Sequence, residues 1–216
     1  MKANRMIETY KNSIKELFER WRNETGLSKE NFSEDGIIDP TIWFSEEEEA
    51  KPKILFVLKE TNSQCNLPNY LRSGKRWQTW NNITRWAYLL RHLKEQPYDE
   101  MWRKVSKINQ DNRRYHLSRI AVINVKKQPG SSSTNTKKLI TAFEQKNKKY
   151  LPSEIALLGH LDYIVCCGEG VAHCLSQCYK APEGTIVIKF KHPQTHQAGK
   201  EELFKDLYNI SSTFIL

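Results

Sequence analysis

The chain has 216 residues, with Lys+Arg 34 against Asp+Glu 25, a formal charge of +9 at pH 7 and a pI near 9.2. That length suits one well-buried domain and excludes two of ordinary size, while the charge favours a polyanionic partner, nucleic acid before an anionic membrane surface. No apolar run approaches the roughly 20 residues that span a bilayer, and Met1-Lys2-Ala3-Asn4-Arg5 opens a charged helix rather than a signal-peptide core, so a cytoplasmic protein is expected.

Apolar residues recur at helical spacing from Ile7 to Asn23 (Ile7, Tyr10, Ile14, Leu17, Phe18, Trp21), and Gly26 ends the run. Turn residues follow, including Asp35-Gly36 and Asp39-Pro40. The acidic stretch Glu46-Glu47-Glu48-Glu49 reads as a solvated surface face. Residues 1–50 are thus expected as a helical extension packed on a core of residues 51–210, within a single domain spanning 1–216.

Lys53-Ile54-Leu55-Phe56-Val57-Leu58 is a short apolar run of strand type and ends at Lys59-Glu60. A polar connection with Pro68, Gly74, Arg72, Lys75 and Arg76 leads to a helix carrying Trp80, Ile83, Ala87 and Leu90 on one stripe. A further helical segment holds Met101, Trp102, Val105 and Ile108. The second strand, Ile120-Ala121-Val122-Ile123, ends at Asn124 and is followed by Lys126-Lys127 and by Ser131-Ser132-Ser133. Leu139, Ile140 and Phe143 mark the next helix. Tyr163 to Cys167 is the third strand, turned into a helix by Gly168-Glu169-Gly170. Ile186-Val187-Ile188 forms the fourth and leads through Lys189-Phe190-Lys191 to His192-Pro193, before a last helix from about Gly199 to Tyr208.

This alternation predicts an α/β fold: a three-layer α/β/α sandwich on a central, mostly parallel four-stranded sheet. In such sheets the ligand crevice lies outside the carboxyl ends of the strands. Glu60, Asn124 and His192 would converge there, a carboxylate, an amide and an imidazole on one edge. Each also has a plain structural reading: Glu60 as a surface ion pair, Asn124 as a turn cap, His192 as part of an extended pre-proline loop.

The five cysteines fit structural thiols. Adjacent Cys166 and Cys167 on a strand point to opposite faces, and Cys174 and Cys178 lack a second spaced pair to complete a tetrahedral site. Pro193 and the residues after it argue against the helix that would pair His192 with His196 on zinc. No metal and no cofactor is expected.

The ordered set Leu58-Lys59-Glu60-Thr61-Asn62, Val122-Ile123-Asn124-Val125 and Phe190-Lys191-His192-Pro193-Gln194 resembles the three motifs of the uracil-DNA glycosylase superfamily over residues 50 to 210. The resemblance implies a monofunctional DNA glycosylase that flips out a base and hydrolyses its N-glycosidic bond. Glu60 falls at the water-activating acid, Asn124 at the amide that reads the flipped base, and His192 at the donor to the departing base. Trp77 and Phe190 are candidate stacking rings. Lys126, Lys127, Lys191, Arg76, Ser131 and Ser132 are candidate phosphate contacts. Asn62 stands where uracil-specific members carry a tyrosine that excludes bulky bases. The implied substrate is therefore a modified pyrimidine in DNA, such as a hypermodified phage base, or uracil, in phage defence or repair. A monomer is expected. Two other classes fit the same residues: a non-catalytic nucleic-acid-binding module, and a nucleotide or nucleoside hydrolase, whose activity would not fall steeply with salt.

Overall fold

A computed structural model describes residues 2–74, 77–130 and 135–214. The first helix, α1 (Lys2–Thr25), turns Ile7, Tyr10, Leu17, Phe18 and Trp21 inward along one stripe. Strand β1 (Gly36–Ile37) follows, then a short helix α2 (Pro40–Trp43), begun by Asp39, whose carboxylate accepts the Thr41 N–H. Strand β2 (Ile54–Leu58) leads into four helices, α3 (Leu67–Arg72), α4 (Gln78–His92), α5 (Tyr98–Val105) and α6 (Gln110–Leu117). Beyond strand β3 (Ala121–Asn124) come α7 (Thr136–Lys146), α8 (Leu151–Ala156) and strand β4 (Tyr163–Cys167). Helix α9 (Glu169–Ser176), strand β5 (Ile186–Phe190) and helix α10 (Lys200–Ser212) complete the order. No helix among the described residues is long and apolar enough to cross a membrane.

Among the described residues the sheet is mixed and has five strands, in the order β1-β3-β2-β4-β5. Four strands are parallel, with Leu58 beside Asn124 and Cys167 beside Phe190. The fifth corrects the four-stranded expectation. Gly36 and Ile37 run antiparallel to Val122 and Ala121 at the far edge. Two residues are too few to show a period of two, which is why the strand is invisible in the sequence. A tertiary contact holds it: the Tyr10 hydroxyl accepts the Ile37 N–H at 2.8 Å. Two residues of the segment before residue 51 therefore join the sheet, while α1 and α2 make most of the rest helical.

Period-two alternation divides the buried side chains between two cores. Phe56, Leu58, Val122, Val165, Cys167 and Phe190 face α4, α5 and α10, whereas Leu55, Val57, Ile123, Ile164 and Cys166 face α7, α8 and α9. Helices therefore flank both faces. The Trp80, Ile83, Ala87 and Leu90 stripe lies in the first core, as its spacing predicts.

Charge is also buried. Glu48, expected in a solvated face, is 6 % exposed and pairs with Arg91 at 2.8 Å and Arg119 at 3.0 Å. Beneath β3, Lys127 bonds Asp35 and Glu154, and all three side chains are fully buried. Asp35 also accepts the Asn124 backbone N–H at 2.8 Å and its side-chain amide at 2.9 Å. Burial pushes the Glu154 carboxyl well above the usual carboxylate range, against the pull of Lys127. The network ties the segment before β1 to the end of β3.

Candidate functional site

Strands β2 and β4 are neighbours, yet the chain leaves β2 toward β3 on one side and β4 toward β5 on the other. The connections leaving their carboxyl ends consequently diverge, and a crevice is expected at this reversal of strand order. The cleft found there has a volume of about 1320 Å³ and is lined by Lys59, Gly168, Glu169, Phe190, Lys191 and His192. Gln194 to Gln197 close one side, and His173 from α9 and Asp206 from α10 close others. Gly168 turns β4 into α9 at φ +116°, a conformation side chains resist, and Lys59 lies 3.8 Å from where its Cβ would be.

His192 is the best-defined group of the cleft. Its Nδ1 accepts the backbone N–H of Gln194 at 3.2 Å. Burial, and then the nearby Lys59 charge, push the imidazole down to about 4. At neutral pH the ring is uncharged. Because Nδ1 is an acceptor, the proton sits on Nε2, which is a donor available to a ligand. The following Pro193 carbonyl accepts the Asn82 side-chain amide at 2.8 Å, so α4 pins the loop that presents the ring.

Other predicted residues fall in different places. Phe190 lines the cleft but is 7 % exposed, with its ring edge-on to Trp86 at 5.0 Å, a core contact first. Lys191 lines the cleft and pairs with Asp206 at 2.7 Å. Glu60 does not line it: its carboxylate bonds Lys126 and lies against Gly130, where a Cβ would overlap it. Asn124 is 1 % exposed and donates its backbone N–H and one side-chain amide hydrogen to Asp35, while its Oδ1 has no partner among the described residues. Lys127 is wholly inside, which removes it from the phosphate contacts. A lysine after a strand signals surface only when no buried carboxylate awaits it; here there are two.

Asn62 is exposed on the loop after β2. Trp77 is 52 % exposed and lines a separate pocket of about 440 Å³, not the His192 cleft. Arg76, Ser131 and Ser132 lie outside the described residues. Among the described residues no three His, Cys, Asp or Glu side chains come together as a metal would need. Cys166 and Cys167 point into opposite cores, and burial pushes the Cys166 thiol up to about 12, leaving it a structural thiol.

Lys59, inside the first motif, has no role of its own in the sequence. Its position was the available signal, as the first residue past an apolar strand at the sheet's carboxyl edge. Comparison of the chain with protein-family models, with curated proteins and with solved structures gives no match in any of the three.

Proposed function

We propose that the protein is a DNA glycosylase, which flips a non-canonical pyrimidine into the cleft and hydrolyses its N-glycosidic bond. One observation carries the reading: a neutral His192, oriented through Nδ1, offers Nε2–H in a cleft at the sheet's carboxyl edge. Breaking the bond from C1′ to the base nitrogen gives an oxocarbenium-like sugar and moves the electron pair onto the base. Nε2–H donates to the base oxygen where that charge gathers, a contact worth roughly 2.7–4 kcal/mol for one well-placed donor. The Lys59 ammonium, in the same cleft, adds a positive charge to the neutral donor. Water adds to C1′ and its proton passes to the departing base, leaving an abasic site and the free base.

A sugar cation needs little help from a base to capture water. That suits a Glu60 held by Lys126 away from the cleft, which gives the carboxylate a role in fixing the end of β2. The ordered motifs resembling the uracil-DNA glycosylase superfamily support the same assignment and the corresponding α/β/α architecture. The cleft exceeds the several hundred cubic ångströms typical of a site for a small ligand, and the exposed Asn62 contributes no ring to narrow it. Both features favour a base bulkier than uracil, such as a hypermodified cytosine in phage DNA.

The Glu60–Lys126 ion pair also favours a second reading, a module that grips nucleic acid on this fold without cutting it. Incubation with DNA panels containing uracil, hydroxymethylcytosine or its glucosylated form, followed by hot alkali, separates the two. Strand breaks on one panel that His192→Ala abolishes establish the glycosylase. Salt-sensitive DNA binding with no breaks on any panel transfers the assignment to the binding module.

A further inference from the structure

Beside the cleft lies the Trp77 pocket, formed where α4 begins and where the chain enters α10. Trp77, Gln78, Asn81, Arg85 and Lys200 line it, with Asn82 and Ala198 between them. We infer that this pocket is a second nucleobase site, which stacks an unpaired base of the strand whose neighbouring base occupies the His192 cleft. The inference rests on the nucleic-acid reading of that cleft, and it makes the preferred substrate single-stranded or locally opened.

The indole is the first argument. Trp77 precedes the helical stripe that buries Trp80, Ile83, Ala87 and Leu90, so its ring forgoes the core and stays 52 % exposed. A large ring held at the mouth of a polar pocket offers a π face, and base stacking on such faces tolerates any sequence. Surrounding amides and cations supply partners for base edges and for the adjoining phosphate.

Rigidity is the second. Arg85 donates to the Val105 and Ser106 carbonyls at 3.0 and 3.3 Å and to the Asn82 side-chain oxygen at 3.0 Å. Asn82 in turn donates to Pro193, next to His192. Both residues are almost fully buried, so the pocket's inner wall is set before any ligand arrives. Lys200 is exposed at the rim, where its ammonium reaches the Ser106 carbonyl at 2.9 Å.

Continuity is the third. Gln194 to Gln197 wall the cleft, and Ala198 and Lys200, immediately after, wall the pocket. One short segment divides the two spaces, as successive nucleotides of a single strand would require. In a paired duplex both faces of each base are covered by its neighbours, and the indole would reach none.

The test measures binding of an unmodified oligothymidylate, the same sequence as duplex, and thymidine monophosphate, to the full chain and to Trp77→Ala, Trp77→Phe and Tyr115→Ala. Tyr115 is a comparably exposed ring on α6. Trp77→Ala is expected to weaken single-strand binding by about fivefold to about a hundredfold, with duplex binding unchanged and Trp77→Phe restoring most of the loss. Tyr115→Ala is expected to bind as the parent does. Thymidine monophosphate is expected to bind at least about tenfold more weakly than the strand, lacking its further phosphates. Unchanged binding in Trp77→Ala, an equal loss in Tyr115→Ala, or a mononucleotide as tight as the strand would each overturn the inference. No excision on any panel, with the Trp77→Ala loss intact, removes the glycosylase reading and leaves this site standing.

Discussion

The Nδ1 of His192 accepts the backbone N–H of Gln194 at 3.2 Å, a bond that a charged imidazole could not accept. Orientation and protonation are thus coupled through two residues of one loop. The imidazole, pushed down to about 4 from an ordinary 6.5, should stay neutral and protonated on Nε2 down to about pH 5. Nitrogen-detected NMR of the ring checks both: a charge change near pH 6.5 would refute the lowered value, and a neutral ring protonated on Nδ1 would refute the tautomer. His192→Ala should lower excision by about a hundredfold to a thousandfold, with folding unchanged.

Glu60 and Lys126 make a different prediction. The carboxylate is paired and covered by Gly130, so Glu60→Gln should slow excision by less than about tenfold, far less than His192→Ala does. Rates of both variants on one substrate decide it, since a Glu60 that activates water would cost as much as the histidine. Gly130→Ala should destabilise the fold by about 1–3 kcal/mol, because its Cβ and the carboxylate claim the same space. Urea denaturation reads that change.

The four parallel strands and helices α1, α4, α5, α7, α9 and α10 were legible because buried strands and amphipathic helices leave periodic signatures, whereas α3 and α8, of 6 residues each, were too short to show one. What sequence could not show were features decided by a distant partner. β1 depends on Tyr10, more than twenty residues away, and the inward turn of Lys127 depends on Asp35 and Glu154. Helix α6, polar along most of its length, is carried by the reciprocal Asn109 and Asn112 cap and not by an apolar stripe. At the site, position along a strand located His192 and the cleft, and the plain reading of Glu60 as an ion pair foresaw its pairing but neither its partner, Lys126, nor its burial.

The buried Lys127 separates a structural lysine from a binding one. Lys127→Met leaves Asp35 and Glu154 facing each other without a cation, and should cost roughly 3–5 kcal/mol of stability. Where the variant still folds, the salt dependence of DNA binding should match the parent. Lys189→Ala, an exposed change in the cleft, should leave stability intact and reduce the slope of log K against log salt by about one. A reversed pattern would mean that Lys127 reaches solvent and phosphate.

His116 should contribute to the acid sensitivity of the fold. It is 7 % exposed on α6, edge-on to the Tyr88 and Tyr115 rings, and its Nδ1 has no partner among the described residues. Burial first, and then the Arg91, His92 and Arg119 charges, push it down to about 4. Unfolding restores a value near 6.5, so the unfolded chain binds the extra proton between these limits. The stabilisation is therefore complete above about pH 6.5 and is lost as the pH falls toward 4, by roughly 3 kcal/mol at most. His116→Gln removes the titrating group without enlarging the side chain. Urea denaturation at pH 7 and pH 4 should show the parent losing more stability than His116→Gln over that interval. Equal losses would place the acid sensitivity in other groups.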